Sequence, residues 1–177
     1  NDHYKFQDKH FIRLHGCSVS LFPIEIKGGE AISDIYTYEI KCFSRTDHNS
    51  LDMLHGTHLS CEIGEQHNSL PSRFIHGVVT KIKYNYDNSM LYTCIIVLQP
   101  EIAELAYSRR TRVWSNIKPS DIVRTILKDS LFKPPQVMLY KEQNFLEYKI
   151  QYQESDLAFI NRVLSEAGIY YFFVHNK

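Results

Sequence analysis

The sequence predicts a mainly β protein with inserted helices, a β-rich α+β fold built from barrel-like domains. From Phe11 to Pro100, short segments of alternating apolar and polar residues follow one another, separated by turn-forming residues. Helical spacing of apolar residues is clear only after Pro100. Aromatic residues, which favour strands, make up 13% of the chain. Several strands at short spacing that begin with local hairpins are typical of a small antiparallel barrel or sandwich.

The first half of the chain contains a clear strand and a clear hairpin. The strand has an apolar residue at every second position, at Tyr36, Tyr38, Ile40 and Cys42. Before it, Gly28-Gly29 predicts a turn. The hairpin has Val78, Thr80, Ile82 and Tyr84 on one face of its first strand, a turn at Asp87-Asn88-Ser89, and a return strand from Leu91 to Leu98.

The second half predicts helices and further strands. Residues 102–107 fit a short helix, and Pro119 opens a clearer one with an apolar face. Strict alternation from Leu146 to Gln153 predicts a strand. Ser155 suits the N-cap of the following helix, and Gly168 suits the left-handed position that ends it. The apolar run Ile169–Val174 then predicts a final strand.

We place a domain boundary near Val113, where the pattern changes. Residues 1–112 are expected to form a β-barrel-like domain. Residues 113–177 are expected to form an incomplete α+β segment of a second domain, because their predicted elements are too few to complete a core.

Composition limits the possible partners and the redox environment. Lys and Arg together number 20 and so do Asp and Glu, so no net field selects nucleic acid or an anionic membrane. No apolar run reaches the ~20 residues that cross a bilayer. The four cysteines lie in β-like segments without a C-x-x-C pair, which indicates reduced, structural thiols in a protein that folds in the cytoplasm.

Three candidate catalytic or metal sites are weak. His55, His58 and Cys61 are spaced three apart, but in a strand His58 and Cys61 face opposite ways, so surface histidines and a core thiol are favoured over zinc. The stretch Gly16–Ser20 begins like a nucleophile elbow but lacks its last glycine. The carboxylates Glu154 and Asp156 are explained by the positive end of a helix dipole. We expect no catalytic residue, no metal and no cofactor.

The stretch Arg109–Trp114 combines three arginines with a tryptophan, which is a pattern that can bind single-stranded nucleic acid. A solvated or subunit-interface role is favoured, because the net charge is zero and no second basic stretch exists.

The segment after Ile150 resembles a signature of the VgrG family, the spike proteins of type VI secretion systems. The family pattern is Gln-Tyr-x-Glu-Ser-Asp-x-x-Phe-x-x-Arg-x-x-x-Glu-x-Gly-Ile-x-Tyr-x-Phe. Its residues are here Gln151, Tyr152, Glu154, Ser155, Asp156, Phe159, Arg162, Glu166, Gly168, Ile169, Tyr171 and Phe173. Looser likenesses occur at Gly29–Ser33, His76–Val79 and Arg110–Trp114, so the resemblance extends from Phe11 to the end of the chain.

The resemblance implies barrel-like domains of the phage tail hub type, of which this chain is the front part. It further implies a homotrimer on the tip of an Hcp-like tube, with effector or adaptor proteins as partners and a target membrane that is pierced only transiently. The protein is expected to be made in the bacterial cytoplasm and then secreted into a target cell by the type VI apparatus. A structural role without enzymatic activity is expected.

Two other functions stay open on the sequence alone. The hub architecture is shared with contractile phage tails and phage-derived particles, so a baseplate hub of such a particle is the first alternative. The second belongs to another class, a barrel-type hydrolase or carbohydrate-binding domain that uses exposed tyrosines and Trp114.

Overall fold

The computed structural model describes residues 2–5, 10–45, 48–65, 71–85, 92–132, 134–138 and 143–175. The chain divides into two compact units, Asn1–Pro100 with Phe172–Lys177, and Glu101–Tyr171. The predicted boundary at 112/113 differs from this division, because it would cut a strand, Arg110–Ile117, that pairs within the second unit. The assignment of the two units to a hub domain and an incomplete second hub domain stays a prediction.

The first unit is one antiparallel sheet of seven strands. The strands are β1 (Asp2–Lys5), β2 (His10–His15), β3 (Leu21–Gly29), β4 (Thr37–Ser44), β5 (His58–Glu65), β6 (Arg73–Asn85) and β7 (Tyr92–Gln99). Their order in the sheet is β1-β3-β4-β7-β6-β5-β2. The edge strand β2 also lies beside β3, so the sheet curls into a nearly closed barrel. A short helix, α1 (His48–Asp52), lies between β4 and β5 in the chain. The predicted β-rich, barrel-like fold is confirmed.

The barrel core is formed by the inward faces of these strands. Tyr38, Ile40 and Cys42 of β4 are fully buried, as their alternation predicts. The predicted hairpin is formed by β6 and β7, which pair from Val78–Gln99 to Asn85–Thr93. Its predicted turn at residues 87–89 lies outside the described residues.

The turn predicted at Gly28-Gly29 is wrong. Both glycines belong to β3, and the chain turns later, where Ser33 has a positive φ of 57°. Gly28 pairs with Tyr38, and a Cβ at Gly28 would stand 2.3 Å from the ring of that tyrosine. The glycine is therefore required by the close approach of a buried aromatic ring rather than by a turn.

The second unit combines a two-stranded antiparallel sheet with helices. It contains a 3-10 helix (Glu101–Ala106), strand β8 (Arg110–Ile117), helix α2 (Pro119–Ser130), strand β9 (Leu146–Glu154) and helix α3 (Asp156–Glu166). β8 pairs with β9, and α3 packs on α2, β9 and the 3-10 helix. The buried apolar side chains include Ile122, Ile126, Phe159, Ile160 and Val163. In the described part of the chain, no helix combines the length and apolar character needed to span a bilayer.

The strand predicted at Ile169–Val174 is not formed in the structure. The segment keeps the alternation of an extended chain, with Tyr170, Phe172 and Val174 exposed and the intervening residues partly buried. Within the first unit, the Phe173 ring packs edge-on against Tyr36 with centroids 5.0 Å apart. The His175 Nδ1 accepts a hydrogen bond of 3.0 Å from the His76 amide. Side chains, rather than a backbone ladder, therefore attach residues 173 and 175 to Tyr36 and to β6.

We predict that acid weakens the docking of His175. Burial is the largest cause that lowers the pKa of His175; His76 and Arg73 lower it further, while Glu30 opposes them. A protonated Nδ1 would also face the His76 amide donor. Because the folded pKa is depressed, the stabilisation is present above the ordinary value of about 6.5 and is lost as pH falls below it. The protection factor of the His76 amide, in which the intrinsic pH dependence of exchange is divided out, should therefore fall between about pH 7.5 and about pH 5.

His175→Gln is the matched variant, since its side chain does not titrate. The protection factor of the His76 amide in this variant should be the same at both pH values. If the wild type and this variant respond to acid equally, another histidine is responsible.

Candidate functional site

A buried carboxylate lies at the centre of the signature segment. Asp156 begins α3 and has no solvent exposure, and Gln151 in β9 is equally buried. The Gln151 Nε2 donates a hydrogen bond of 2.7 Å to Asp156 Oδ1. Two arginines of β8 neutralise the charge: the Arg112 Nη1 lies 3.3 Å from Oδ1, and the Arg110 Nε lies 3.5 Å from Oδ2. A buried carboxylate requires such partners, because its desolvation is costly.

Two serines complete this cluster. The Ser108 Oγ accepts a hydrogen bond of 3.2 Å from the Asp156 amide, and the Ser130 Oγ donates one of 3.5 Å to Oδ2. Asp156 thus joins the segment before β8, the end of α2, and β8 and β9. The positive end of the helix dipole therefore accounts for only part of the environment of Asp156, which also includes two arginines and a glutamine.

Two of the three arginines in the stretch Arg109–Trp114, Arg110 and Arg112, pair with Asp156. Arg112, predicted to be solvated or at an interface, has a side chain that is 20% exposed and contacts Asp156. Sequence reasoning missed the pairing of Arg110 and Arg112 with Asp156, although a carboxylate beside an apolar helix face signals the need for a cation. This internal pairing leaves less positive charge available for nucleic acid.

Both predicted ends of α3 are confirmed. The Ser155 Oγ accepts a hydrogen bond of 3.1 Å from the Ala158 amide, which is N-cap geometry. Gly168 has a φ of 65° at the C-terminal end. The Gly168 amide donates to the Ser165 carbonyl and the Ile169 amide donates to the Leu164 carbonyl, which together form a Schellman motif.

Replacing Ser155 by alanine should lower the free energy of unfolding by about 1 kcal/mol, because one amide of the first turn loses its partner. The measurement is urea unfolding followed by the fluorescence of Trp114, which is the single tryptophan and lies in the second unit. Ser165→Ala, at an exposed position of the same helix, is the control and should change stability by less than about 0.5 kcal/mol. Equal effects of the two variants would contradict a capping role.

Arg162, in the C-terminal half of α3, attaches this helix to β9. Its guanidinium binds Glu154 through Nε and Nη2, donates 2.8 Å to the Ile150 carbonyl and contacts Glu166 at 3.4 Å. Lys149 of β9 also binds Glu166, and this hydrogen bond is the main cause that lowers the pKa of Glu166. The predicted helix-dipole role of Glu154 is thus accompanied by a bidentate pair with Arg162.

Other signature residues differ in their exposure on α3 and β9. Phe159 is fully buried in the core of the unit. The Tyr171 hydroxyl donates a hydrogen bond of 3.0 Å to Asn161 Oδ1. Tyr152 lies on the opposite face of β9, with 69% of its surface exposed.

The weak catalytic and metal candidates are not brought together. The His55 Nε2 contacts the Thr80 carbonyl at 2.9 Å, whereas Cys61 is fully buried in the barrel core. Across residues 2–175, with the undescribed stretches left aside, no three His, Cys, Asp or Glu side chains are grouped to hold a metal ion.

A shallow groove in the first unit contains its own charge pairs. It is lined by Glu30, residues 72–74 and residues 172–175. The Arg73 Nη2 donates to Glu30 Oε1 at 3.1 Å and to the Tyr38 hydroxyl at 2.9 Å, and that hydroxyl donates to Glu30 at 2.8 Å. These groups bind one another, which is typical of a structural network.

Comparisons with known proteins agree with the barrel fold and with the predicted family. The family model described as "Phage tail baseplate hub (GPD)" matches residues 29–177. The Pseudomonas aeruginosa type VI secretion system spike protein VgrG1c is 26% identical over 155 residues, which cover 86% of this chain and 21% of that protein. VgrG4b of the same organism is 28% identical over 170 residues, which cover 94% of this chain and 20% of that protein.

A solved structure shares the fold. It is the E. coli c3393 protein, described as a type VI secretion component with structural similarity to the T4 bacteriophage tail proteins gp27 and gp5. The TM-score is 0.76 at 25% sequence identity, and the match covers 94% of this chain and 45% of that one. The chain spans about a fifth of the length of the curated relatives above. Since the family model covers most of its residues, the chain belongs to the phage tail baseplate hub (GPD) family.

Proposed function

We propose that this chain is part of the trimeric hub of a type VI secretion puncturing device, which sits on the tip of an Hcp-like tube and delivers effectors into target cells. The observation that carries the proposal is the hub family match over residues 29–177, together with curated relatives named as type VI spike proteins. The producing cell makes the protein in its cytoplasm, and the apparatus secretes it.

An apolar sheet face supports an assembly role. Four large apolar side chains are more than half exposed: Val113 (65%), Tyr148 (68%), Ile150 (53%) and Tyr152 (69%). They lie on one face of the β8–β9 sheet, where Val113 pairs with Ile150. Neighbouring large apolar side chains on a surface are typical of an interaction site. We propose that a second copy covers this face, within an obligate interface of more than about 2,000 Å² per pair.

The signature residues have a structural role in this proposal. Asp156, Gln151 and Arg162 hold α3 against the inner face of β9, so that Tyr148, Ile150 and Tyr152 on the outer face form a fixed surface. A rigid surface costs less ordering entropy on association than a mobile one. The chain itself acts without a catalytic residue, cofactor or metal.

The experiment uses the full-length protein that contains this chain. Ile150→Asp places a charge in the apolar face and should convert the trimer to monomers in sedimentation. Glu147→Ala, an exposed change on the same strand but on the other face, is the matched control and should leave the trimer intact. A full-length protein that is a monomer at all concentrations would contradict the proposal.

A baseplate hub of a contractile phage or phage-derived particle is the second candidate, and the wording of the matched family favours it. The two candidates differ in their tube partner. Deleting the gene should abolish release of an Hcp-like tube protein into the medium if the hub belongs to a secretion system. Release of tailed particles that is lost on deletion would identify the phage-type hub instead.

A further inference from the structure

Two cysteines face each other inside the barrel. Cys42 of β4 pairs directly with Cys94 of β7, and their exposed fractions are 0% and 1%. The two thiols are close enough for each to shift the pKa of the other. Residues directly opposite in an antiparallel pair have Cα atoms about 4.5–5.5 Å apart, which lies within the range of about 4.4–6.8 Å that a disulfide requires. The register therefore places the two residues at a Cα separation that a disulfide can span.

The other two cysteines lack this arrangement. Cys61 of β5 is paired with Leu14 on one side and with Ile75 on the other. The Cys17 thiol lies in the loop after β2 and contacts the Val19 carbonyl at 3.2 Å. Strand register thus selects one pair of the four thiols.

We propose that Cys42 and Cys94 are an intramolecular disulfide site, whose oxidant is a low-molecular-weight disulfide such as oxidised glutathione. One thiolate attacks the glutathione disulfide and releases one glutathione thiol, and the second cysteine then displaces the other glutathione from the mixed disulfide. An Sγ–Sγ bond forms between Cys42 and Cys94. The two electrons and two protons lost by the cysteines reduce the oxidant to two thiols.

Burial controls when this reaction occurs. In the closed core, interaction with Cys42 lowers the pKa of Cys94, whereas the pKa of Cys42 is raised by the same interaction and by burial. Since glutathione cannot enter a closed core, the exchange requires local opening of β4 and β7 or takes place during folding.

The bond would stabilise the barrel against unfolding. It closes a loop that contains α1, β5 and β6, so it removes conformations from the unfolded chain and leaves the folded strands in place. The melting temperature of the first unit should rise by about 5 °C or more, and a dithiol reductant should reverse the rise. The inference concerns the first unit alone and does not rest on the proposed secretion function.

The test is oxidative refolding of the full chain. The protein is unfolded, refolded with reduced and oxidised glutathione, quenched by acid and alkylated after a second unfolding. We expect two protected cysteines, and peptide mapping should link Cys42 to Cys94. Alkylation of both cysteines, a glutathione adduct on each, or a different linkage would overturn the proposal.

Two variants provide matched controls from the same core. Cys61→Ala should still form the bond, whereas Cys94→Ala should leave Cys42 open to alkylation. The wild-type peptide map decides the question even if Cys94→Ala does not fold. If the bond is mapped but the melting temperature is the same with and without reductant, the proposed stabilisation of the first unit is wrong.

Discussion

Replacing Asp156 by alanine should lower the free energy of unfolding of the second unit by about 3–5 kcal/mol. The variant leaves Arg112, with a side chain that is 20% exposed, without its carboxylate, and it removes the acceptor of the Gln151 amide. Desolvated donors without a partner are the reason for the large expected loss. Urea unfolding followed by Trp114 fluorescence measures the change.

Asp121→Ala is the matched control. Asp121 also lies in the first turn of a helix and pairs with an arginine, Arg124 at 3.0 Å, but 47% of its side chain is exposed. Its loss should stay below about 1 kcal/mol, because solvent screens exposed pairs. A double-mutant cycle with Arg112→Ala should be clearly non-additive. Equal losses for the two aspartates would show that the buried cluster has no special role.

Replacing Phe159 by alanine should cost a similar amount, about 3–5 kcal/mol. The Phe159 ring is fully buried on α3, beneath the guanidinium of Arg162 at 5.2 Å. Its removal leaves a cavity in a small core that two helices and one sheet face form. The unfolding midpoint in urea should fall while the slope m stays constant, which distinguishes lost packing from a changed unfolded state.

Phe132→Ala tests whether burial, rather than the loss of an aromatic ring, causes this change. Phe132 is 87% exposed, and its contact with Glu101 uses its backbone amide, which alanine keeps. The expected change is below about 0.5 kcal/mol. A loss of several kcal/mol in this variant would contradict the core assignment.

Features determined by local sequence were predictable. The N-cap at Ser155, the end of α3 at Gly168 and the alternation of β9 depend on residues within a few positions of each other. Their hydrogen bonds form within one turn or one strand, so the pattern contains the information.

Features determined by distant residues were not predictable. The arginine partners of Asp156 are provided by a strand that precedes it by more than forty residues, and the space at Gly28 is occupied by the Tyr38 ring. The run Ile169–Val174 has the composition of a strand, but composition alone does not specify the neighbouring strand that a backbone ladder requires. In the described part of the chain, Phe173 and His175 fix this segment through side chains instead.

Two side chains cover one edge of β6 at His76. On the side away from β5, the amide and carbonyl of His76 are the groups that an added strand would have to bind. The His175 ring accepts from that amide and the Tyr36 hydroxyl donates to that carbonyl, so the position is blocked without a further strand. These two side chains therefore occupy backbone groups through which an edge strand could otherwise pair with another chain.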